Sequence, residues 1–201
     1  MSLNQPKPSR VPLKWEKSLE DKVTRSQFES RLSEAFEAVF KERWPKIHAI
    51  LIRMVGDADE AEDLALETFY RLHAQFDRLG GSDRVGGWLY RVAVNLGLNA
   101  LRDSRRRKKY EEQAGFEALR TPRDDNPAAA AERMEQQGQV RLILAEMKPG
   151  SAQILILRSA GLSYQELAEA VQASARSIGT LLNRAEQDFE KRYKARFGEP
   201  R

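Results

Sequence analysis

From Phe28 onward the apolar positions of the chain recur at helical spacing. Phe28, Leu32, Ala35, Phe36, Val39 and Phe40 fall at intervals of three and four residues, which predicts a first helix. A second is expected from about Pro45 to Val55, stopped by Gly56. The acidic stretch DADEAED (57–63) announces a third, with Asp59 and Glu62 at capping-box spacing, and this helix is expected to last to about Phe76. DRLGGSDRVGG (77–87) reads as a glycine-rich loop, after which Trp88 opens a long helix that ends in the basic run RRRKK (105–109). Asn126 followed by Pro127 starts another helix, Pro149 and Gly150 break it, and SAQILILRSA forms the next. Ser163 and Glu166 make a second capping box, and Ser174 caps a last helix after the turn QAS. Nothing alternates with period two for long enough to demand a strand. The expected fold is all-α: two small helical domains joined by a flexible linker, the second containing a helix-turn-helix.

Residues 1–25 carry Pro6, Pro8 and Pro12 among polar residues and read as a flexible N-terminal arm, while 113–126, with Gly115, Pro122 and RDDN, reads as the linker. The 201 residues are 41% hydrophobic and 32% charged, enough for one moderate core or two small ones in a soluble protein. There is no apolar run of membrane-spanning length, and the N-terminal MSLNQPKPSRVPLKWEK lacks the apolar stretch of a signal peptide. A cytoplasmic protein without membrane insertion is therefore expected. With no cysteine there is no disulfide or thiolate chemistry, and His48 and His73 are too isolated for a zinc site. DADEAED does not continue as a calcium loop, because Glu62 and Thr68 stand where glycine and glutamate are needed. No metal or cofactor is expected. Ser82 lacks a partner that could activate it, so no catalytic constellation is found either.

The net charge of +4 favours a polyanionic partner only mildly, and the placement of charge says more. In the last helix Ile178, Leu181, Leu182, Ala185 and Phe189 keep core spacing. Its opposite face then carries Arg176, Thr180, Asn183, Arg184 and Gln187, with Ser177 on the flank. Guanidinium and amide groups offer the forked donors that base edges accept in a major groove, although Glu186 and Asp188 weaken the electrostatic case. A solvated helical hairpin would show a similar face. In the long helix after Trp88, Arg91, Asn95, Asn99, Arg102 and Arg106 share one stripe without a carboxylate, suited to tracking a nucleic-acid backbone. Trp88 and Tyr90 have faces that could stack on bases, but an aromatic at a helix start is more often core. In the third helix Ala61, Leu64, Ala65, Leu72 and Phe76 point inward, whereas Leu66 and Tyr70 lie outward beside Asp63 and Glu67. Exposed apolar residues among acids suit docking on a basic protein surface, though single exposed leucines are common.

GDADEAEDLALETFYRLHAQF, then GGWLYRVAVNLGLNALRDSRRRK, then a linker, then GLSYQELAEAV with its following helix resembles a bacterial RNA polymerase sigma factor of the extracytoplasmic-function type. The resemblance covers about residues 28–110 and 130–192. It implies a first domain (26–112) that docks on core RNA polymerase at the β′ clamp region and recognises and melts the −10 element, and a last domain (127–197) that reads the −35 element of promoter DNA. By position it assigns Asp63, Leu66 and Glu67, with Tyr70 beside them, to the polymerase. Asn95, Asn99 and Arg102, within the stripe from Arg91 to Arg106, go to the −10 element. Arg176, Ser177, Thr180 and Arg184, with Asn183 on the same face, go to the −35 element. Leu66, Asn99 and the stretch 179–181 depart from the residues usual in the family. An anti-sigma factor is a further partner that such a chain can have. The competing reading is a free-standing helix-turn-helix regulator, against which stand two separated DNA-facing candidates and no evident dimerisation helix.

Overall fold

The computed structural model describes residues 14–79, 82–113 and 127–199, and these are helical almost throughout. In chain order the helices are α1 (Lys14–Val55), α2 (Ala58–His73), α3 (Phe76–Leu79), α4 (Ser82–Gln113), α5 (Pro127–Glu146), α6 (Pro149–Ser159), α7 (Tyr164–Val171) and α8 (Ala175–Phe197). No strand occurs among the described residues, which bears out the all-α expectation. Contacts divide the chain into Met1–Val39 and a compact unit, Phe40–Arg201. In the first unit, Val39 is buried and Ala35, expected in the apolar stripe, is exposed. The side chains of Phe28 and Leu32 lie outside the described residues.

Several boundaries differ from expectation. The arm expected over 1–25 is helical from Lys14, where lysine, glutamate and leucine supply good helix formers; residues 1–13 lie outside the description. Pro45 sits inside α1 instead of opening a new helix. A proline in a helix interior loses one hydrogen bond. Here it falls at an exposed position, and packing before and after it holds the helix: Phe40 and Trp44 place their rings 4.7 and 5.7 Å from that of Phe69 in α2, and Ile47 and Ile50 are buried. Gly56, with φ of 78°, stops α1, and the extended residue after it becomes the next cap. The N-cap of α2 is thus Asp57, whose carboxylate accepts from the Glu60 N–H at 2.9 Å; the expected Asp59–Glu62 box does not form. α2 ends at His73, and Phe76 belongs to α3.

The expected glycine loop is mostly helix, because α4 begins at Ser82 and carries Gly86 and Gly87 within it; Gly80 and Gly81 lie outside the described residues. Trp88 is therefore an interior residue of α4. Gly87 is required by packing, since a Cβ there would meet the Glu169 Cβ at 2.8 Å and the Ala170 N at 3.2 Å. The linker expected over 113–126 lies outside the described residues except for Gln113, which is in α4. Pro149 is the first residue of α6, where its missing N–H leaves no hydrogen bond unmade.

Within the compact unit, α4 is the central strut. It packs against α2, α3, α5, α6 and α7, and α8 closes over α5, α6 and α7. The core follows from that arrangement: Leu89, Ala93, Val94 and Leu98 of α4 are buried, as are Ile154 and Leu157 of α6 and Leu167 and Ala170 of α7. No described helix is long and apolar enough to cross a membrane.

Candidate nucleic-acid interface

The helix-turn-helix forms as its caps dictate. The Ser163 Oγ accepts from the Glu166 N–H at 3.3 Å while the Glu166 carboxylate accepts from the Ser163 N–H at 2.7 Å, completing the capping box of α7. The bond from the Ser163 N–H chiefly holds the Glu166 carboxyl below its ordinary range; burial, the next largest effect, opposes it, and a bond from the Ser163 hydroxyl and the nearby Lys46 and Arg43 charges add to the lowering. Gln172, with φ of 55°, turns the chain, and Ser174 caps α8 by accepting from the Ser177 N–H at 3.3 Å.

On α8 the division of faces holds with one exception. Ile178, Leu182 and Ala185 are buried and Phe189 is half-buried, but Leu181 is 36% exposed. At 100° per residue Leu181 lies at the edge of the stripe, where burial gives way to solvent. Arg176, Thr180, Asn183 and Arg184 are all exposed, and neither arginine has an ion-pair partner among the described residues. Ser177 differs: its hydroxyl donates to the Ser174 carbonyl at 2.7 Å and accepts from the Ser174 hydroxyl at 3.0 Å, so it belongs to the cap as well as to the face.

The α4 stripe is less free. Asn95 and Asn99 are exposed, Arg91 is half-buried, and Arg102 donates to the carbonyls of Ala145 and Met147 at 3.3 and 3.4 Å. The stripe was expected to hold no carboxylate, yet Arg106 donates to Asp103, one helical turn away, at 2.5 Å. Asp103 lies off the line of the stripe, and the reach of an arginine crosses that gap. Arg102, Arg105 and Arg106 together line a cleft of about 410 Å3 against Ala145. Arg105 was not singled out by periodicity; it pairs with Glu146 at 2.7 Å, and only the cation run hinted at it. Tyr90 is buried in the core with a Lys46 ammonium 5.4 Å from its ring centre, which removes it as a base-stacking surface in this arrangement.

The outward face of α2 stands as expected. Leu66 is 49% and Tyr70 73% exposed, Asp63 is exposed, and the half-buried Glu67 pairs with Arg71 at 2.7 Å. On the inner side the sequence missed Thr68 and Phe69, both buried, the Thr68 hydroxyl being satisfied by the Leu64 carbonyl at 2.8 Å; Leu64 and Phe76 are only half-buried. His48 stacks on Trp44 with ring centres 5.7 Å apart, and no metal-binding cluster occurs among the described residues.

The family described as Sigma-70 region 2 matches residues 39–107, the stretch that carries the α2 face and the α4 stripe. The chain is 28% identical over 164 residues to the RNA polymerase sigma-H factor of Pseudomonas aeruginosa, covering 78% of this chain and 85% of that protein. It is 29% identical over 161 residues to the ECF RNA polymerase sigma factor SigG of Mycobacterium tuberculosis, covering 69% of this chain and 43% of the relative. Residues 39–107 thus match Sigma-70 region 2, and over most of its length the chain is similar to RNA polymerase sigma factors, one of them of the ECF type. A solved structure similar to this chain is that of the sigma factor RpoE in complex with the anti-sigma factor NepR from Bartonella quintana, at 18% identity and a TM-score of 0.46 over 80% of this chain and 98% of that one.

Proposed function

We infer that this chain is a sigma factor of the extracytoplasmic-function type that directs core RNA polymerase to specific promoters in the cytoplasm and assists DNA opening, the chemistry of RNA synthesis residing in the polymerase. The observation that carries this reading is the coincidence of the region 2 match, residues 39–107, with two exposed faces of different chemistry. On α2, Asp63, Leu66, Glu67 and Tyr70 combine acid with apolar surface and dock on the β′ clamp region. On α4, Asn95 and Asn99 offer amides to the −10 element, flanked by Arg91, Arg102 and Arg106 for its phosphates. Arg176, Ser177, Thr180, Asn183 and Arg184 on α8 enter the −35 major groove.

Run-off transcription with purified core polymerase, on a template taken from upstream of the factor's own gene, tests the assignment. Transcripts are expected only when the factor is added. Equal transcripts with and without it overturn the reading, and tight promoter binding by the chain alone, without stimulation of polymerase, favours the free-standing regulator.

A further inference from the structure

We propose that Leu181 reads a thymine in the −35 duplex by packing on the 5-methyl group that this base alone projects into the major groove. The contact rests on the assignment of α8 to the −35 element. Two large apolar side chains of the α7–α8 pair are exposed, Tyr164 at 47% and Leu181 at 36%. Tyr164 is engaged within the fold: the Arg158 guanidinium lies 5.5 Å from its ring centre, and a Cβ at Gly179 would stand 3.9 Å from the ring. Leu181 lies on the other flank of α8. Its neighbours one turn away are the buried Ile178 and Ala185 toward the core and the exposed Ser177 and Arg184 toward solvent. Leu181 is thus the apolar border of the face that carries Ser177, Thr180 and Arg184, and it is continuous with that face along the helix.

An exposed leucine costs a protein little, but beside a base-reading face it changes what the face can recognise. Purine edges and the cytosine amine present hydrogen-bonding groups that need a partner once water leaves. Leucine has none to give, so pressing it on those edges strands a donor or an acceptor. The thymine methyl is the apolar group on a base edge in that groove, and covering it with Leu181 removes both from water without a polar loss. Arg176 and Arg184 are the cations in the N-terminal half of α8, so forked hydrogen-bond readout there is sparse and a methyl contact carries a larger share of the base preference. Leu181 precedes Arg184 by about 4.5 Å of helix rise, against roughly 3.4 Å per base pair. The thymine is therefore placed one or two steps from the guanine that Arg184 is suited to read.

Randomised −35 duplexes selected by the chain in complex with core polymerase are expected to enrich a T·A pair at that spacing. Leu181→Ala should lose this preference and keep the guanine. In the selected duplex, deoxyuridine in place of the thymine removes the methyl and nothing else. It should weaken binding of the parent complex about fourfold, the worth of one buried methyl, and that of Leu181→Ala by less than about 1.5-fold. Leu181→Met, which keeps an apolar side chain of similar volume, should still discriminate. Because Leu181 is exposed, the alanine variant should melt close to the parent, which separates lost recognition from lost folding. Selection without an enriched thymine, or a deoxyuridine penalty that Leu181→Ala retains in full, overturns the methyl contact and leaves the −35 assignment standing. Unchanged affinity and base preference in Arg184→Ala remove that assignment, and the contact with it.

Discussion

α4 and α8 both carry arginine and asparagine on a helical face, but the fold uses the two helices differently. α8 lies at the edge of the compact unit, so its N-terminal turns bury Ile178 and Leu182 and leave Arg176, Thr180, Asn183 and Arg184 to solvent. α4 runs through the middle, packed against α1 as well as α2, α3, α5, α6 and α7, and its stripe is open at Asn95 and Asn99 but closed at Arg102. A polar face on a peripheral helix is available by default. The same face on a central helix is available only where no neighbour finds a use for it.

The contrast is most strongly tested inside α8, where Leu182 and Leu181 are adjacent in sequence and differ in burial. Leu182→Ala should cost about 2–5 kcal/mol in a denaturant melt by the transfer and cavity effects of a buried leucine. Leu181→Ala should stay within about 1 kcal/mol; equal losses would mean that the edge of α8 is covered after all.

Function should separate the helices next. Arg184→Ala is expected to weaken binding to −35 duplex DNA by about 1–3 kcal/mol if its guanidinium reads a guanine. It should not change permanganate reactivity of −10 thymines at matched occupancy. Asn95→Ala/Asn99→Ala should do the reverse, and unchanged melting in that double variant would break the assignment of α4.

A smaller difference concerns the arginines in the folded protein itself. Arg102→Ala removes two long charged hydrogen bonds to carbonyls and should cost about 1 kcal/mol of stability, whereas Arg176→Ala, which loses no described partner, should cost less than about 0.5 kcal/mol. Thermal melts of the two variants in one buffer decide it; matching melting temperatures would show that the α5 contact contributes nothing.

The smallest effect is a pH dependence at the α7 cap. The folded-state pKa of Glu166 is depressed, chiefly by its bond with the Ser163 N–H, so its contribution is present above the ordinary value of 4.5 and fades as pH falls through the lower folded value. Glu166→Gln should therefore be less stable than the parent at neutral pH, with the gap narrowing below about pH 4.5. A gap constant down to pH 3 would contradict the ionised cap, and the melts of both proteins across that range measure it.

What the sequence determined by itself was local. The Ser163–Glu166 box, the Ser174 cap, the helical class and the polar face of α8 follow from residues within about one turn of each other, where side chain and backbone meet whatever the rest of the chain does. The outward Leu66 and Tyr70 of α2 were legible for the same reason, as a break in an otherwise regular period. Only the tertiary structure decided the remainder. Pro45 and the glycines at 86 and 87 look like breaks when judged by propensity, but packing on Phe69 and the close approach of α7 keep both stretches helical. Asp57 displaced Asp59 as cap because Gly56 fixed where α1 ends. Arg102 and Arg105 meet the end of α5 more than forty residues away, a contact no periodicity encodes. A period reports which face of a helix is apolar; which polar residues stay free depends on the helices that arrive beside it.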